Sequence, residues 1–301
     1  MQSKAQPAPR VCFTSHPNPC AFKEASALGL TIRGALLHTD SHVDETCLIG
    51  CPGFVGSTLL QQHEFTRLYH SGNVSEIRGS NCELIVCAAP SAAKWLANQN
   101  PDADRASVET LAEHLSCVRA ESAVLISTID VYPHPRDVDE SADCSLAPNH
   151  AYGRNRLLLE TRLREAFPNL HVIRLSGLFG KGLKKNVIFD LINDNCLDLI
   201  NPNSIFQYYD LSCLWDDLQI IRKHDIPLLN LVAEPLPTSA ILDVYFPGKQ
   251  VGLNAAPKAA YDVQTCHAGI FGRDSRYRFD AGEVLERLGR FINSESGGGR
   301  T

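Results

Sequence analysis

The chain has no run of about 18 apolar residues, the minimum for a helix that spans a bilayer, and its start has no apolar segment typical of a secretory signal peptide. It also has no excess of basic residues, since 28 Lys and Arg stand against 34 Asp and Glu for a net charge of −6. A broad nucleic-acid or anionic-membrane surface is therefore not expected. We predict a cytoplasmic protein with no membrane or nucleic-acid partner.

Metal-binding cysteine patterns are also missing, although the chain contains 11 cysteines. No Cys-x-x-Cys pair occurs, and Cys47 and Cys51 have no nearby His or Cys that would complete a zinc pattern. Cys266 and His267 are adjacent but have no acidic partner in the sequence around them. We interpret the cysteines as free thiols packed as small hydrophobic side chains in a reducing compartment. No metal site is predicted.

From Cys47 onward, short apolar runs alternate with segments that have helical character. Continuous apolar strands that alternate with helices predict an α/β protein whose parallel sheet is covered on both faces. The predicted strands are TCLIG, FTRLYH, CELIVCAA, AVLIST, LHVIRLSG and PLLNLVAE, and the predicted helices are STLLQQ, 103–115, 151–166, NVIFDLIND, 214–223, 238–246 and 281–292.

The two ends of the chain differ from the rest. Residues 1–44 include Pro7, Pro9 and Pro17 and show no clear hydrophobic period, so we interpret them as an N-terminal extension. The closing SESGGGRT, residues 294–301, has the composition of a flexible tail.

A glycine-rich turn follows the first predicted strand. In GCPGFVG, Gly50, Gly53 and Gly56 stand between a strand and a helix. Glycines at such a junction permit a tight turn and let the backbone approach a pyrophosphate, which binds the free N–H groups at the start of the helix. No Gly-Lys-Ser/Thr follows, which argues against a triphosphatase phosphate loop. An ordinary glycine turn is the alternative.

The preference between NAD and NADP is not encoded where it is usually found. An acidic residue after the second strand would bind the adenosine ribose, and an Arg there would favour a 2′-phosphate. Residues 69–73 are YHSGN and provide neither. Both cofactors stay open.

The segment LISTIDVYP places Ser127 and Thr128 at the end of a buried strand, and the helix that follows carries Tyr152 and Arg156. A spacing of four residues puts the phenol and the cation on the same helical face. A phenol has a pKa near 10, and a neighbouring positive charge lowers that pKa and makes Tyr a usable acid/base. A surface cation–π pair is the alternative interpretation.

Four motifs occur in a fixed order: GxxGFxG, Ser-Thr-x-x-Val-Tyr, Tyr-Gly-x-x-cation and Ile-Arg-Leu-x-x-Leu-Phe-Gly. Together they resemble the extended short-chain dehydrogenase/reductase superfamily, of the NAD-dependent epimerase/dehydratase and dehydrorhamnose-reductase type, over residues 45–235. The resemblance implies a Rossmann-type doubly wound parallel sheet with a smaller C-terminal substrate-binding domain. It also implies NAD or NADP as cofactor and a nucleotide-sugar-like substrate, with homodimer formation left open.

The resemblance also implies domain bounds. The Rossmann domain would span residues 45–180, and residues 214–235 (which begin with LWDDL) would return to it. Residues 181–213 and 236–293 would form the substrate-binding part.

Residue roles carry over by position. The resemblance implies a catalytic set, a cofactor-binding set and a substrate-binding set. The catalytic set is Thr128, Tyr152 and Arg156; the cofactor-binding set is Gly50, Gly53, Phe54, Val55, Gly56, Ala88 and Ala89; the substrate-binding set is Lys184, Lys185, Asn186 and Gln207.

Two positions depart from the family pattern. Ile129 stands where the dehydratases have the first carboxylate after Thr128, so redox epimerisation or carbonyl reduction is favoured over dehydration. Arg156 stands where the family has a Lys that lowers the Tyr pKa and binds the nicotinamide ribose, and the two cations are not interchangeable. A non-catalytic NAD(P)-binding regulator or scaffold is therefore the rival hypothesis.

Two further segments have two interpretations each. The basic loop FGKGLKKN either binds a substrate diphosphate or is a solvated surface loop. Lys94 and Trp95 either line the nicotinamide end of the cleft or are a solvated Lys beside a packed Trp, which is the interpretation we favour.

Overall fold

A computed structural model describes residues 45–297, and all of these residues fall in one compact unit. The predicted N-terminal extension, residues 1–44, and the last four residues of the predicted tail lie outside the described residues. The strands are β1 Thr46–Ile49, β2 Arg67–Tyr69, β3 Asn81–Cys87, β4 Arg119–Thr128, β5 Arg136–Val138, β6 Leu170–Leu175, β7 Gly177–Phe179, β8 Ile205–Phe206, β9 Tyr208–Asp210, β10 Leu228–Leu231, β11 Leu236–Pro237 and β12 Asp262–Val263. The helices are α1 Phe54–Gln62, α2 Lys94–Gln99, α3 Pro101–Leu115, α4 Ala151–Ala166, α5 Val187–Asn193, α6 Leu214–Lys223, α7 Thr238–Tyr245 and α8 Ala281–Gly297.

Six strands form the central sheet, in the order β2-β1-β3-β4-β6-β10, and every pair is parallel. The sheet is buried on both faces because its strands are apolar at successive positions. In β3, Leu84 and Val86 pack on one face, and Ile85 and Cys87 pack on the other. Helices α1, α6 and α8 cover the first face, while α3 and α4 cover the second. The predicted Rossmann-type α/β sheet is confirmed.

The chain reverses its direction of travel across the sheet between β1 and β3. After β1 it adds β2 on one side, and then it crosses to place β3 on the other side of β1. In open α/β sheets a crevice forms at the carboxyl ends of the strands where the order reverses in this way. The loops that follow β1 and β3 are the glycine turn and the Ala88–Ala89 turn.

Short pairs of strands lie outside the central sheet. These are β7 with β9, β8 with β11 and β5 with β12. Asp217 in α6 joins this region to the sheet, because its carboxylate accepts hydrogen bonds from the Tyr209 hydroxyl at 2.8 Å and from the Arg278 guanidinium at 3.0 Å. The second Asp of LWDDL is therefore a buried structural anchor.

Most predicted elements are confirmed, and two of the helices (α4 and α6) have the predicted bounds. Helix α2 and the two- and three-residue strands outside the central sheet were not predicted. Helix α8 continues to Gly297, four residues into the predicted tail. Within residues 45–297, no helix combines the length and the apolar character that crossing a membrane requires.

Gly56 is the glycine whose replacement we expect to cost the most stability. A Cβ at this position would overlap the carbonyl group of Gly50, whereas a Cβ at Gly53 would meet only the Gly50 oxygen at 3.2 Å. We predict that Gly56→Ala lowers the free energy of unfolding by about 3 kcal/mol, as overpacking against rigid backbone does. Gly53→Ala is the matched control and should cost about 1 kcal/mol or less. Urea denaturation of both variants measures the difference, and equal losses would contradict the assigned close approach.

Candidate active site

The glycine turn leaves the start of α1 open. Gly50 has φ +87°, and its N–H donates to the Tyr69 carbonyl at 2.8 Å, which fixes the turn against the end of β2. Gly53 caps α1 without a side-chain hydrogen bond, and the first turn of the helix contains no acidic residue. Gly53 is exposed, and Phe54 and Val55 are half-buried. The N–H groups at the start of α1 are therefore available to an anion.

The turn after β3 packs directly on the glycine turn. The Ala88 N–H donates to the Ile49 carbonyl at 2.8 Å, and a Cβ on Gly50 would lie 2.8 Å from the Ala88 oxygen. The structure thus brings together the two segments predicted to bind the cofactor. After β2 the chain continues with His70, whose N–H donates to the Asn73 side chain. Residues 70–73 include no Asp or Glu, so no carboxylate directly follows this strand.

Thr128 ends β4 and offers a hydroxyl at the carboxyl edge of the sheet. Its Oγ1 accepts a hydrogen bond from the Asp130 N–H at 3.1 Å, which leaves the hydroxyl proton free to be donated. The preceding Ser127 is used elsewhere, because its hydroxyl donates to Glu160 at 2.5 Å within a buried network that includes Arg174. Of the two strand-end hydroxyls, Thr128 is therefore the one whose proton has no protein acceptor among the described residues.

The first turn of α4 holds Tyr152 against the end of β4. His150 caps the helix, and its Nδ1 accepts the Gly153 N–H at 3.0 Å. A Cβ on Gly153 would overlap the Asp130 carbonyl oxygen, so glycine permits the close approach. The Tyr152 N–H donates to Asn98 of α2 at 3.0 Å. Tyr152 is therefore fixed between α2 and the segment that follows Thr128.

Arg156 lies on the same face of α4 as Tyr152, as predicted, with its guanidinium carbon 4.4 Å from the centre of the phenol ring. Both side chains are buried, Tyr152 at 6% and Arg156 at 5% exposure, so the alternative of a surface pair is wrong. The guanidinium donates to both oxygens of Asp104 at 3.0 Å and to the Ser91 carbonyl at 2.8 Å. Arg156 is therefore a buried cation whose guanidinium makes three hydrogen bonds to protein acceptors.

Burial controls the acidity of Tyr152. Desolvation raises the pKa of the phenol above its ordinary value, and the positive charge of Arg156 offsets only part of that rise. The charge of Asp130 raises this pKa further, and Lys94 lowers it. In the structure without a ligand, Tyr152 is consequently a protonated phenol at neutral pH and is suited to act as an acid.

Lys94 and Asp130 form an ion pair beside Tyr152 that the sequence did not predict. The Lys94 ammonium lies 2.8 Å from Asp130 Oδ1, and the Tyr261 hydroxyl donates to the same oxygen at 3.2 Å. The favoured interpretation of this segment was wrong for Trp95, which is 62% exposed, whereas the Lys94 side chain is paired and still 37% exposed. The reason is that α2 lies on the surface with Lys94 turned toward the end of β4.

Two members of the predicted substrate-binding set have structural roles. Gln207 is 2% exposed, and its amide donates to the carbonyls of Ala233 and Val263 and accepts the Val263 N–H. The side chain of Asn186 caps α5 and donates to the Leu178 carbonyl. Because these hydrogen bonds use both amides, we do not retain either residue as a substrate contact.

The two predicted lysines differ in their contacts. Lys184 is exposed. Lys185 reaches across to the segment before α2, where its ammonium donates to the Ala92 carbonyl at 2.6 Å, and desolvation lowers the pKa of this lysine. The basic loop therefore contacts the loop after β3.

Cys266 and His267 have an acidic partner that is distant in sequence. Glu140 groups with them in the fold, and its carboxylate accepts hydrogen bonds from Thr265, from the backbone of Asn230 and from the backbone of Cys266. The fold therefore provides the acidic partner that the sequence around this pair lacks. Because three protein donors bond the Glu140 carboxylate, we interpret the group as structural.

Comparison with known proteins identifies similar folds. No protein-family model matches the sequence, and no curated protein matches it. Among solved structures, a UDP-N-acetylglucosamine 4-epimerase from Methanobrevibacter ruminantium in complex with UDP-N-acetylmuramic acid has a TM-score of 0.66 at 12% identity, covering 83% of this chain and 97% of that one. A dTDP-4-dehydrorhamnose reductase from Bacillus anthracis in complex with NADP scores 0.63 at 17% identity, covering 83% and 98%. The reductase from Yersinia enterocolitica scores 0.61 at 14% identity, covering 83% and 99%.

The likeness is one of fold. The aligned region covers almost the full length of each of these enzymes, so the chain includes the whole of the fold that they share.

We predict that Arg156→Lys destabilises the protein, because an ammonium cannot make the paired contacts to Asp104 and also reach Ser91. The expected loss in the free energy of unfolding is about 2 kcal/mol. Arg164→Lys, an exposed change on the same helix, is the control and should cost less than about 0.5 kcal/mol. Denaturant titration measures both, and an Arg156→Lys variant as stable as the wild type would contradict the assignment of Arg156 as a buried anchor.

We predict that His150 makes the protein less stable in acid. Burial lowers the pKa of His150 below its ordinary value of 6.5, and protonation would remove the acceptor that caps α4. The unfolded chain then binds more protons below about pH 6.5, so the stabilising contribution is complete above that pH and is lost as the pH falls. Urea midpoints between pH 8 and pH 5 measure this dependence.

His150→Asn, which retains a good capping side chain, should match the wild type in stability at pH 8. It should lose less stability than the wild type between pH 7 and pH 5. A variant with an unchanged pH dependence would show that His150 does not contribute.

Proposed function

We propose that the protein is an NAD(P)-dependent oxidoreductase or epimerase that acts on a nucleotide-sugar-like substrate by Tyr-assisted hydride transfer. The observation that carries this proposal is the convergence of two sites at one edge of the sheet. The open start of α1 lies at the β1/β3 crossover, and Thr128 and Tyr152 lie at the end of the next strand, β4. A dinucleotide placed along this edge would extend from the first site to the second.

The glycine turn fits a dinucleotide pyrophosphate. The N–H groups at the start of α1 have no side-chain cap, and the exposed Gly53 provides no Cβ between them and a ligand. Gly50, Gly53 and Gly56 would line the pyrophosphate, and Ala88 and Ala89 would line the adenosine side. Solved neighbours include complexes with NAD and with NADP, and the residues after β2 favour neither.

The nicotinamide ring would supply a carbon that accepts or releases hydride. Thr128 would donate a hydrogen bond from its hydroxyl to the substrate oxygen, which would orient and polarise the carbonyl while Thr128 keeps its proton. Tyr152 would transfer a proton to or from the same oxygen. In the reduction direction the protonated phenol already has the required form, because burial keeps its pKa high.

A nucleotide sugar is the substrate class that the fold neighbours favour, since they are reductases and epimerases named for such substrates. Ile129 removes the carboxylate that a dehydratase would use next to Thr128. Lys184 and Lys185 are retained as the proposed contacts to the substrate diphosphate. Reduction and epimerisation share the same hydride step, and both remain in the proposal.

A second candidate function is cofactor binding without turnover. The observation that favours it is the engagement of Arg156 by Asp104 and Ser91, because these hydrogen bonds hold the cation on protein acceptors. A buried Tyr152 with a raised pKa is also compatible with a regulator or scaffold that kept its cofactor.

Calorimetry with NAD(H) and NADP(H), followed by turnover assays with UDP- and dTDP-sugars, tests the proposal. We predict that the wild type binds one of these cofactors. Tyr152→Phe should keep the cofactor affinity within about threefold and reduce kcat by about 10²–10⁴-fold, the range of a lost acid/base. Tyr245→Phe removes a hydroxyl that bonds Leu285 in the C-terminal part and is the control expected to retain activity.

The outcomes separate the candidates. Absence of cofactor binding by the wild type would contradict both of them. Cofactor binding with a Tyr152→Phe variant that turns over at the wild-type rate would contradict the acid/base role. Cofactor binding without turnover of any sugar nucleotide would favour the regulator or scaffold.

A further inference from the structure

The ammonium of Lys94 is placed to contact a ligand at the carboxyl edge of the sheet. Its side chain is 37% exposed, whereas Arg156 is buried and all its contacts are with protein. Lys94 is the first residue of α2, which follows β3, yet its Nζ bonds Asp130, which follows β4. The side chain therefore spans the gap between two neighbouring strands.

The Lys94–Asp130 pair has hydrogen-bonding capacity left over. An ammonium has three donors, and Asp130 uses one of them. Lys94 and Tyr261 both bond Oδ1 of Asp130, and within residues 45–297 no side chain or backbone group donates to Oδ2. A free donor next to a free carboxylate acceptor suits two neighbouring hydroxyl groups, one of which accepts while the other donates.

The pair also lies close to the proposed chemistry. Asp130 bonds the Thr128 hydroxyl through its backbone, and Asn98, one turn after Lys94 on α2, binds the N–H of Tyr152. The pair is thus located beside the two groups that would handle the reacting oxygen. A dinucleotide that runs from the glycine turn toward Tyr152 would pass the end of β3 and then the gap that Lys94 spans.

We propose that Lys94 and Asp130 bind the ribose diol at the nicotinamide end of the cofactor. This inference rests on the proposed function, because it requires a nicotinamide dinucleotide at this edge. Lys94 donates to one ribose hydroxyl, and Asp130 Oδ2 accepts the proton of the other. The contact comes from α2 and the end of β4 and does not involve Arg156.

A diol could also belong to the sugar of the substrate, and four probes distinguish the two sources. ADP-ribose carries the second ribose of the cofactor, and ADP lacks it. UDP-glucose carries a hexose, and UDP lacks it. Calorimetry on the full chain with all four compounds compares wild type with Lys94→Met and Asp130→Asn.

We predict that Lys94→Met weakens ADP-ribose binding by about tenfold, the effect of one lost charge-assisted hydrogen bond, and leaves ADP binding unchanged. Asp130→Asn should act in the same direction on the same compound. The ratio of UDP-glucose to UDP affinity should stay at its wild-type value in both variants. Lys223→Met is the control for a lost positive charge. Lys223 is exposed and ends α6 just before β10 begins, so it lies at the amino ends of the strands, away from the proposed site.

Three results would overturn the proposal. The first is an unchanged ADP-ribose affinity in both variants, with binding by the wild type intact. The second is a loss confined to UDP-glucose, which would place the substrate sugar on the pair. The third is equal weakening of ADP and ADP-ribose, which would indicate a general charge effect. A wild type that binds neither ADP nor ADP-ribose would instead refute the proposed function on which the inference depends.

Thermal unfolding of each variant checks that the fold is intact. Lys94 lies in the first turn of a surface helix, so Lys94→Met should retain the wild-type midpoint within a few degrees. Lys94→Gln provides a second variant that keeps a donor but removes the charge, and its ADP-ribose affinity should lie between those of Lys94→Met and the wild type.

Discussion

The buried ion pair of Arg156 and Asp104 is the interaction on which the candidate site depends. It connects α4 to α3, and the further bond to Ser91 connects both helices to the segment between β3 and α2. Removing one partner from a buried pair leaves an uncompensated charge and is strongly destabilising. The position of Tyr152 relative to the ends of β3 and β4 is therefore held by a contact whose loss would destabilise the protein.

In this arrangement Arg156 acts on Tyr152 through its charge and its position in the fold. As a permanent cation over the face of the phenol, Arg156 offsets part of the desolvation of Tyr152. Its guanidinium donates to Asp104 and Ser91, so a turn toward a ligand would break these buried hydrogen bonds. The electrostatic role and the ligand-binding role that a lysine would combine are, in our account, divided between Arg156 and Lys94.

The central sheet could be predicted from the sequence because each of its long strands is apolar at successive positions. Each of these strands is also followed by a segment with the pattern of a helix or a turn. The bounds of the Tyr152 helix agree with the predicted 151–166, although His150, which caps it, is not among the side chains preferred at a helix start. The small strands outside the sheet were not predictable, since elements of two or three residues carry no period.

The hydrogen-bond partners of the site residues were harder to predict from the sequence than the site residues themselves. Asp104 lies 52 positions from Arg156, and Asp130 lies 36 from Lys94, so no local spacing connects them. Gln207 and Asn186 were assigned to substrate by position alone, and only packing reveals that backbone groups use their amides. The sequence indicated Lys94 only as one of two interpretations, through its location just after the turn that follows β3.

Crystal structures of the full chain grown with saturating NADH and with saturating NADPH would show where the cofactor binds. We expect a pyrophosphate on the N–H groups that start α1, a nicotinamide ring beside Thr128 and Tyr152, and an Arg156 that still bonds Asp104. A cofactor bound elsewhere on the protein, or an Arg156 that leaves Asp104 to contact the ribose, would contradict this expectation.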